Sequence, residues 1–294
     1  MDLTGLRPWA GLAGGSLERA DVVVAGIPYD GSAVYRKGAA GAPARIRQLS
    51  AVMPPVTEDG RHLQGLAVHD LGDLDAGPDI ESGHRAITER LAAIPAPQLL
   101  TVFGGDHCSA IPVVAAQAIR YPGLALLWID AHPDLCDFSR GGAWTCGCAL
   151  RRAIEVAGIE PRSAGIVGGR DYDMEELDYI RAQGMLLLGA PAMARDPEAA
   201  AASVAQWVAG RPLHLSFDID VLDPAAAPGT EIPSSGGLTT RQALDFLAAL
   251  AMSTHLVGLD LVEVAPNLDH NDITSLAALK VIFEFWGRAW KAPT

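Results

Sequence analysis

An α/β fold built on a parallel sheet is predicted by three features of this sequence. Short apolar runs rich in strand-forming residues alternate with longer stretches of helical period, several runs are apolar at nearly every position, and no repeat or low-complexity linker interrupts the alternation. A strand covered by helices on both faces needs apolar side chains on both, so it reads as a continuous run. The runs place strands at residues 21–27, 98–103, 124–130, 164–168, 185–188, 213–218 and 256–262. Helices are expected at 80–93, 109–120, 148–157, 174–183, 197–209, 240–252 and 273–290. Asp196 followed by Pro197 marks a helix start, because the Asp side chain caps free amides and Pro suits the first helical position. The Ala-rich stretch after it continues that helix, so residues 1–294 are read as a single domain.

At 294 residues, 49% of them hydrophobic, the chain can bury a sizeable core. It contains no run of about 18 apolar residues free of charge, so no membrane span is expected. The opening MDLTGLRPW has neither a basic start nor a long apolar segment, which predicts no secretory signal and a cytoplasmic location. Cys108, Cys136, Cys146 and Cys148 fit a reducing compartment as free thiols, and the lack of a CxxC pair argues against a cysteine zinc site. A formal net charge of −13 disfavours nucleic acid and anionic membranes as partners. It mildly favours cationic ligands, although such a charge also serves solubility alone.

Ligands of open α/β sheets bind beyond the carboxyl ends of the strands. There the sequence collects acids and histidines: Gly104-Gly105-Asp106-His107, Asp130-Ala131-His132-Pro133-Asp134, Asp218-Ile219-Asp220 and Asp260-Leu261-Val262-Glu263. Side chains alternate along a strand, so Asp130 with His132, and Asp218 with Asp220, can project to one side. Any one of these aspartates could be a helix cap or a turn residue, His107 a satisfied core histidine, and the Gly104-Gly105 pair a tight turn. Three strand ends that each supply spaced ligands point elsewhere. Clustered aspartates repel and raise one another's pKa unless protons or metal ions neutralise them. Oxygen ligands with some imidazole suit Mn²⁺, or a relative such as Ni²⁺, and two such ions can hold a hydroxide nucleophile at neutral pH.

Four segments together resemble the signatures of the ureohydrolases, the arginase and agmatinase family. They are GGDHCSA at residues 104–110, WIDAHPDL at 128–135, SFDIDVLDPAAAPGT at 216–230 and LDLVEVAP at 259–266. GIPYDGSAVYRKGAAGAPARIRQ at 26–48 is similar to agmatinase-type members, so the resemblance covers most of the chain. It implies a three-layer α/β/α domain, a homo-oligomer of three or six chains, and a pair of Mn²⁺ ions in each chain. It further implies that His107, Asp130, Asp134 and Asp218 hold one ion and His132, Asp130, Asp218 and Asp220 the other, with Asp130 and Asp218 bridging. A bound hydroxide would attack the guanidino carbon of a small cationic substrate, giving urea, or an analogue, and an amine. Glu263 matches the carboxylate that grips the guanidinium by a charge-assisted contact; a surface or capping Glu is the plain alternative.

Two positions depart from the family pattern. Relatives carry, after the second signature, a His whose family role is to shuttle protons to the leaving amine. Here the segment is Trp144-Thr145-Cys146-Gly147-Cys148, with Cys146 at that place. The exchange puts a thiol of pKa about 8.5 where an imidazole of about 6.5 would act, and general acid-base catalysis contributes roughly 10²- to 10⁴-fold. Cys146 is therefore either a weaker proton donor or a small buried residue that vacates the role. Where relatives read Gly-Thr-Gly-Thr-Pro, this chain reads Gly229-Thr230-Glu231-Ile232-Pro233. Glu231 adds a carboxylate that could bind a cationic substrate tail, replace the missing shuttle, or point to solvent. The arginase-type Ser-Gly-Asn segment that reads an α-amino acid is absent after Asp134, which argues against arginine as substrate. The expectation is an agmatinase-like hydrolase of a guanidino compound. The alternatives are a formimino or other amidine hydrolase and a metal-binding, catalytically silent subunit of a mixed oligomer. A deacetylase of related fold is disfavoured by the missing His-His motif.

Overall fold

The computed structural model describes residues 7–290, and among them one eight-stranded sheet runs through the molecule. Its strands are β1 (Val22–Ile27), β2 (Val68–Asp73), β3 (Leu99–Gly104), β4 (Ala125–Ile129), β5 (Ala164–Gly169), β6 (Leu186–Gly189), β7 (Pro212–Asp218) and β8 (His255–Val262). The helices are α1 (Ala42–Ser50), α2 (Ile80–Ala92), α3 (Ala110–Arg120), α4 (Ala149–Ala157), α5 (Met174–Gln183), α6 (Ala190–Arg195), α7 (Pro197–Val208), α8 (Thr240–Ser253) and α9 (Ile273–Ala289). The first part of the opening stretch read for a secretory signal, up to residue 6, lies outside the described residues. Among the described residues no helix is long and apolar enough to cross a membrane.

Every expected strand and helix is present, with ends that differ by about one residue. Three elements escaped the sequence reading. β2 lies at the edge of the sheet, where only Val68 of its six residues is buried, so it carries no continuous apolar run. α1 buries Ile46 and Leu49 but is nine residues long, and α6 has only six, too few for a helical period to stand out.

Strand side chains alternate between two cores, which is why both faces needed apolar residues. Val22 and Val24 of β1, with Leu215 and Phe217 of β7, share a core with Ile46, Val204, Leu247 and Phe283 from α1, α7, α8 and α9. Val23 and Ala25, with Leu126 and Trp128 of β4, share the opposite core with Leu91, Val114, Leu150 and Ile180 from α2, α3, α4 and α5. The result is a three-layer α/β/α sandwich. Each such side chain contributes about 1.5–3 kcal/mol by leaving water.

The strand order is β2-β1-β3-β8-β7-β4-β5-β6, with every neighbour parallel. All carboxyl ends therefore face one edge of the sheet. Register keeps the central four level: Phe103 pairs with Leu261, Asp218 with Val262, and Ile129 with Phe217. The chain passes from β3 to β4 across two strands that it fills later, and that switch point gathers the four motif-bearing ends.

Gly105 closes the turn after β3 beneath the loop that follows β1. A Cβ at this position would stand 1.9 Å from the carbonyl oxygen of Tyr29. That oxygen also accepts the Asp106 N–H at 2.8 Å, so it cannot retreat without breaking the bond that leads into His107. Gly105→Ala should lower stability by about 1–3 kcal/mol, as overpacking does. Thermal unfolding checks this, and an unchanged midpoint would contradict the packing described.

Candidate metal centre

Four strand ends deliver their side chains to one point. His107 opens a one-turn helix capped by Asp106, whose carboxylate accepts the Cys108 N–H at 3.2 Å. Around His107 Nδ1 stand Asp130 Oδ2 at 3.0 Å, Asp218 Oδ2 at 3.1 Å and Asp134 Oδ2 at 3.3 Å. Around His132 Nδ1 stand Asp220 Oδ2 at 3.0 Å and Asp130 Oδ1 at 3.4 Å. Asp130 thus turns one oxygen to each histidine. Short local bonds hold this orientation: the His132 N–H donates to Asp130 Oδ1 at 2.6 Å, and the Asp220 N–H to Asp218 Oδ1 at 2.7 Å.

The donor set fits a pair of divalent cations. His107 Nδ1 and Asp130 Oδ2 are buried, yet neither has a hydrogen bond among the described residues. The three oxygens surround Nδ1 at close range without the alignment a hydrogen bond needs. Oxygen or nitrogen ligands about 2.1–2.4 Å from one cation, at right angles to each other, stand about 3.0–3.4 Å apart. The observed separations fall there. Buried polar groups are normally partnered, so a shared cation explains both the spacing and the orphaned atoms.

Charge balance points the same way. In the ion-free protein, burial and then the neighbouring carboxylates push Asp218 well above the usual range, and they raise Asp220 as well. Burial and Asp130 push Asp134 up to about 7. Burial opposes ionisation of Asp130 too, but its contacts with His107 and His132 hold it below the ordinary range. Backbone strain marks the same place: Asp134 has φ 53° and Glu263 φ 64°, left-handed conformations that cost about 1–3 kcal/mol each outside glycine. The Glu263 N–H is anchored on Gly105 O at 2.8 Å and the Asp134 carbonyl accepts from Arg151 N–H at 3.1 Å.

A second layer fixes the histidine tautomer. The Ser216 hydroxyl donates to Asp260 Oδ1 at 2.7 Å, so it must accept from His107 Nε2, 3.0 Å away. In the neutral ring the proton then sits on Nε2, which leaves the Nδ1 lone pair available to a metal ion. Asp260 Oδ2 continues to His214 Nε2 at 2.7 Å, and Trp128 stacks on the His107 ring with centroids 3.7 Å apart. Arg170 steadies the other side by donating to the Asp220 carbonyl at 2.6 Å and that of Ser234 at 2.8 Å. The sequence reading missed Asp106, Ser216, Asp260 and Arg170 as parts of the site. Ser216 was the accessible one, since it lies two residues before Asp218 on the same strand face.

A cavity of about 550 Å³ opens over the cluster, lined in part by His107, His132, Asp218, Cys146, Glu231 and Glu263. All nine residues singled out from the sequence therefore meet in one region. Cys146 Sγ lies 3.5 Å from Glu263 Oε1 and 3.6 Å from Glu231 Oε2. Glu231 is only 3% exposed, so it does not point to solvent. Its Oε1 accepts the Tyr35 N–H at 2.5 Å and pins the loop after β1, leaving Oε2 toward the thiol. Glu231 and Glu263 thus reach the same sulfur from two different loops. All four cysteines are free thiols.

Residues 20–287 match the model of the Arginase family. The chain belongs to the arginase family. It is 34% identical over 276 residues to an agmatinase of Bacillus cereus, an alignment that covers 92% of each chain. It is 33% identical to the mitochondrial guanidino acid hydrolase of Homo sapiens, across 92% of this chain and 78% of that one. The solved structure of proclavaminate amidino hydrolase from Streptomyces clavuligerus superposes with a TM-score of 0.88 at 31% identity, covering 98% of this chain and 99% of that one. The ureohydrolase resemblance and its agmatinase-like branch are borne out by these matches, and the arginase-like sandwich by the superposition.

For this arginase-family chain the buried acids set a pH dependence. In the ion-free protein Asp134 is raised to about 7, and Asp106, through burial, to about 8. Both lie far above the unfolded value near 3.8. The folded state then keeps protons that the unfolded chain has released, so their stabilisation is full below about pH 4 and is lost as pH rises through 7 to 8. Chelator-treated protein should unfold at a higher temperature near pH 5 than near pH 8, and divalent cations should narrow that difference. Stability of the ion-free protein that stayed level or rose across this window would contradict the assignment.

Proposed function

We propose that this protein hydrolyses a guanidino C–N bond of a small cationic compound, releasing urea or an analogue and an amine. The observation that carries this reading is the division of Asp130 between two histidine-centred clusters beneath a cavity whose wall holds a free buried carboxylate oxygen. His107, Asp130, Asp134 and Asp218 would hold one divalent ion, and His132, Asp130, Asp218 and Asp220 the other. When bound, two such ions lower the pKa of water and so supply a nucleophile at neutral pH. Mn²⁺ as the resident metal and assembly into trimers or hexamers belong to the same reading and rest on the family resemblance, and a cytoplasmic location rests on the opening segment and the free cysteines.

The chain's own residues do the remaining work. Glu263, which lines the cavity, accepts the His107 N–H at 2.9 Å on Oε1 and keeps its second oxygen buried and unpartnered. A guanidinium N–H satisfies that oxygen by a charge-assisted bond and brings the guanidino carbon beside the His107 cluster. The leaving amine needs a proton, and the family's histidine is absent. Burial, followed by the nearby Glu263 carboxylate, pushes the Cys146 thiol well above its ordinary range, so it is a poor acid at neutral pH. Burial raises Glu231 as well, so it holds a proton more readily than an ordinary carboxylate, and its Oε2 stands beside the thiol at the cavity. Glu231 is thus assigned as the acid in place of histidine. A complete ligand set disfavours the silent-subunit reading.

Agmatine and ω-guanidino acids are the first compounds to assay for urea or amine release, and arginine should be poor. Asp218→Asn should lower the divalent-ion content found by elemental analysis and abolish turnover. Glu231→Gln should cut turnover roughly 10²- to 10⁴-fold while Cys146→Ser keeps most of it. The reverse ranking would assign the proton to the thiol. Wild type and Cys146→His that both stayed inactive across the panel when fully metallated would overturn the hydrolase reading.

A further inference from the structure

The two departures from the family pattern fall on the same spot. Cys146 comes from the segment after β4 and Glu231 from the loop after β7, yet their side chains touch, and the same sulfur touches Glu263 at the end of β8. Histidine and glycine at these two positions would supply neither the thiol nor the second carboxylate. We infer that Cys146, Glu231 and Glu263 form a third cation site, for a thiophilic divalent ion such as Zn²⁺, whose occupation blocks the guanidinium position.

Three observations support it. One ligand atom from each residue lies within 4.8 Å of the others, in side chains that are buried or nearly so. The sulfur-to-oxygen separations are 3.5 and 3.6 Å. A tetrahedral ion with Zn–S of about 2.3 Å and Zn–O of about 2.0 Å holds its sulfur and oxygen ligands about 3.5 Å apart, so little movement is needed to close around it. Independently, Glu263 Oε2 has no partner although the residue is only 4% exposed and lines the cavity. Cavity water would take the fourth position and the cavity is the route of entry.

Binding breaks the Cys146 S–H bond, forms a metal–sulfur bond and releases the proton to solvent. The thiol also gives up its 3.5 Å contact with the Ser32 carbonyl. The chemistry separates this site from the other two: thiolate selects Zn²⁺ or Cd²⁺, whereas the all-oxygen and imidazole sets around His107 and His132 suit Mn²⁺. Ion binding stands on its own geometry; only its effect on turnover rests on the hydrolase reading.

The test uses the Mn²⁺-loaded protein and Cd²⁺ as probe, because a cadmium thiolate has an ultraviolet charge-transfer band that carboxylates and imidazoles cannot produce. Wild type should show the band, saturating at one Cd²⁺ per chain, and Cys136→Ser should keep it. Cys146→Ser should lose it. Loss of a mere outer partner costs 10- to 100-fold in metal affinity, so Glu231→Gln should weaken Cd²⁺ binding by about tenfold or more even if Cys146→Ser folds poorly. A wild type without the band, a band that survives Cys146→Ser, or unchanged affinity in Glu231→Gln would overturn the site. Guanidinium ion added to the Cd²⁺ complex should displace the metal, which tests the shared position. A normal band in a protein that hydrolyses no guanidino compound would retain the site and remove the hydrolase reading alone.

Discussion

The carboxylate of Asp130, buried between His107 and His132, is the contact on which the rest of this structure depends. It gives one oxygen to each histidine cluster, and three further aspartates crowd the same volume. A low-dielectric interior holds four carboxylates this close only when protons or cations neutralise them, because each added charge raises the cost of the next. Much of the surrounding architecture serves to keep these groups in place against their own repulsion. The parallel sheet levels the strand ends, the i-to-i+2 bonds of Asp130 and Asp218 fix their side chains, and Arg170 ties down the backbone of Asp220.

The polar chain behind His107 shows how orientation is set from a distance. Ser216, Asp260 and His214 sit on the sheet face that carries α3, in a layer otherwise filled by Val114, Leu126 and Trp128. A buried network of this kind is costly unless every member is satisfied. Here each link donates or accepts within 3.0 Å, and its consequence is a single histidine tautomer with Nδ1 free to bind. The left-handed backbones of Asp134 and Glu263 are a second cost accepted at the site, held by bonds from α4 and from Gly105.

The layers of the fold were legible because strands covered on both faces are apolar at nearly every position, as β1, β3 and β4 are, while β7 and β8 keep enough apolar residues around His214, Ser216 and Asp260 to read as strands. β2 was hidden for the opposite reason: an edge strand with Asp70 and Asp73 on it looks like a loop until its parallel neighbour is known. The acids of the site were legible because they repeat at strand ends with a spacing of two. Arg170 was not, since it acts through backbone carbonyls that no side-chain pattern announces. The sequence also located both departures, Cys146 and Glu231, but left open where they point. Only the fold brings residues 85 positions apart to 3.6 Å, and that contact turned two separate oddities into one feature.

The central claim, that Asp130 and Asp218 tie two cations into one pair, is tested most directly by electron paramagnetic resonance of the protein loaded with Mn²⁺. Ions bridged by shared carboxylates a few ångströms apart couple their spins. The account predicts the spectrum of an exchange-coupled pair, with two ions bound per chain. Signals of isolated Mn²⁺ alone, or saturation at one ion per chain, would contradict it.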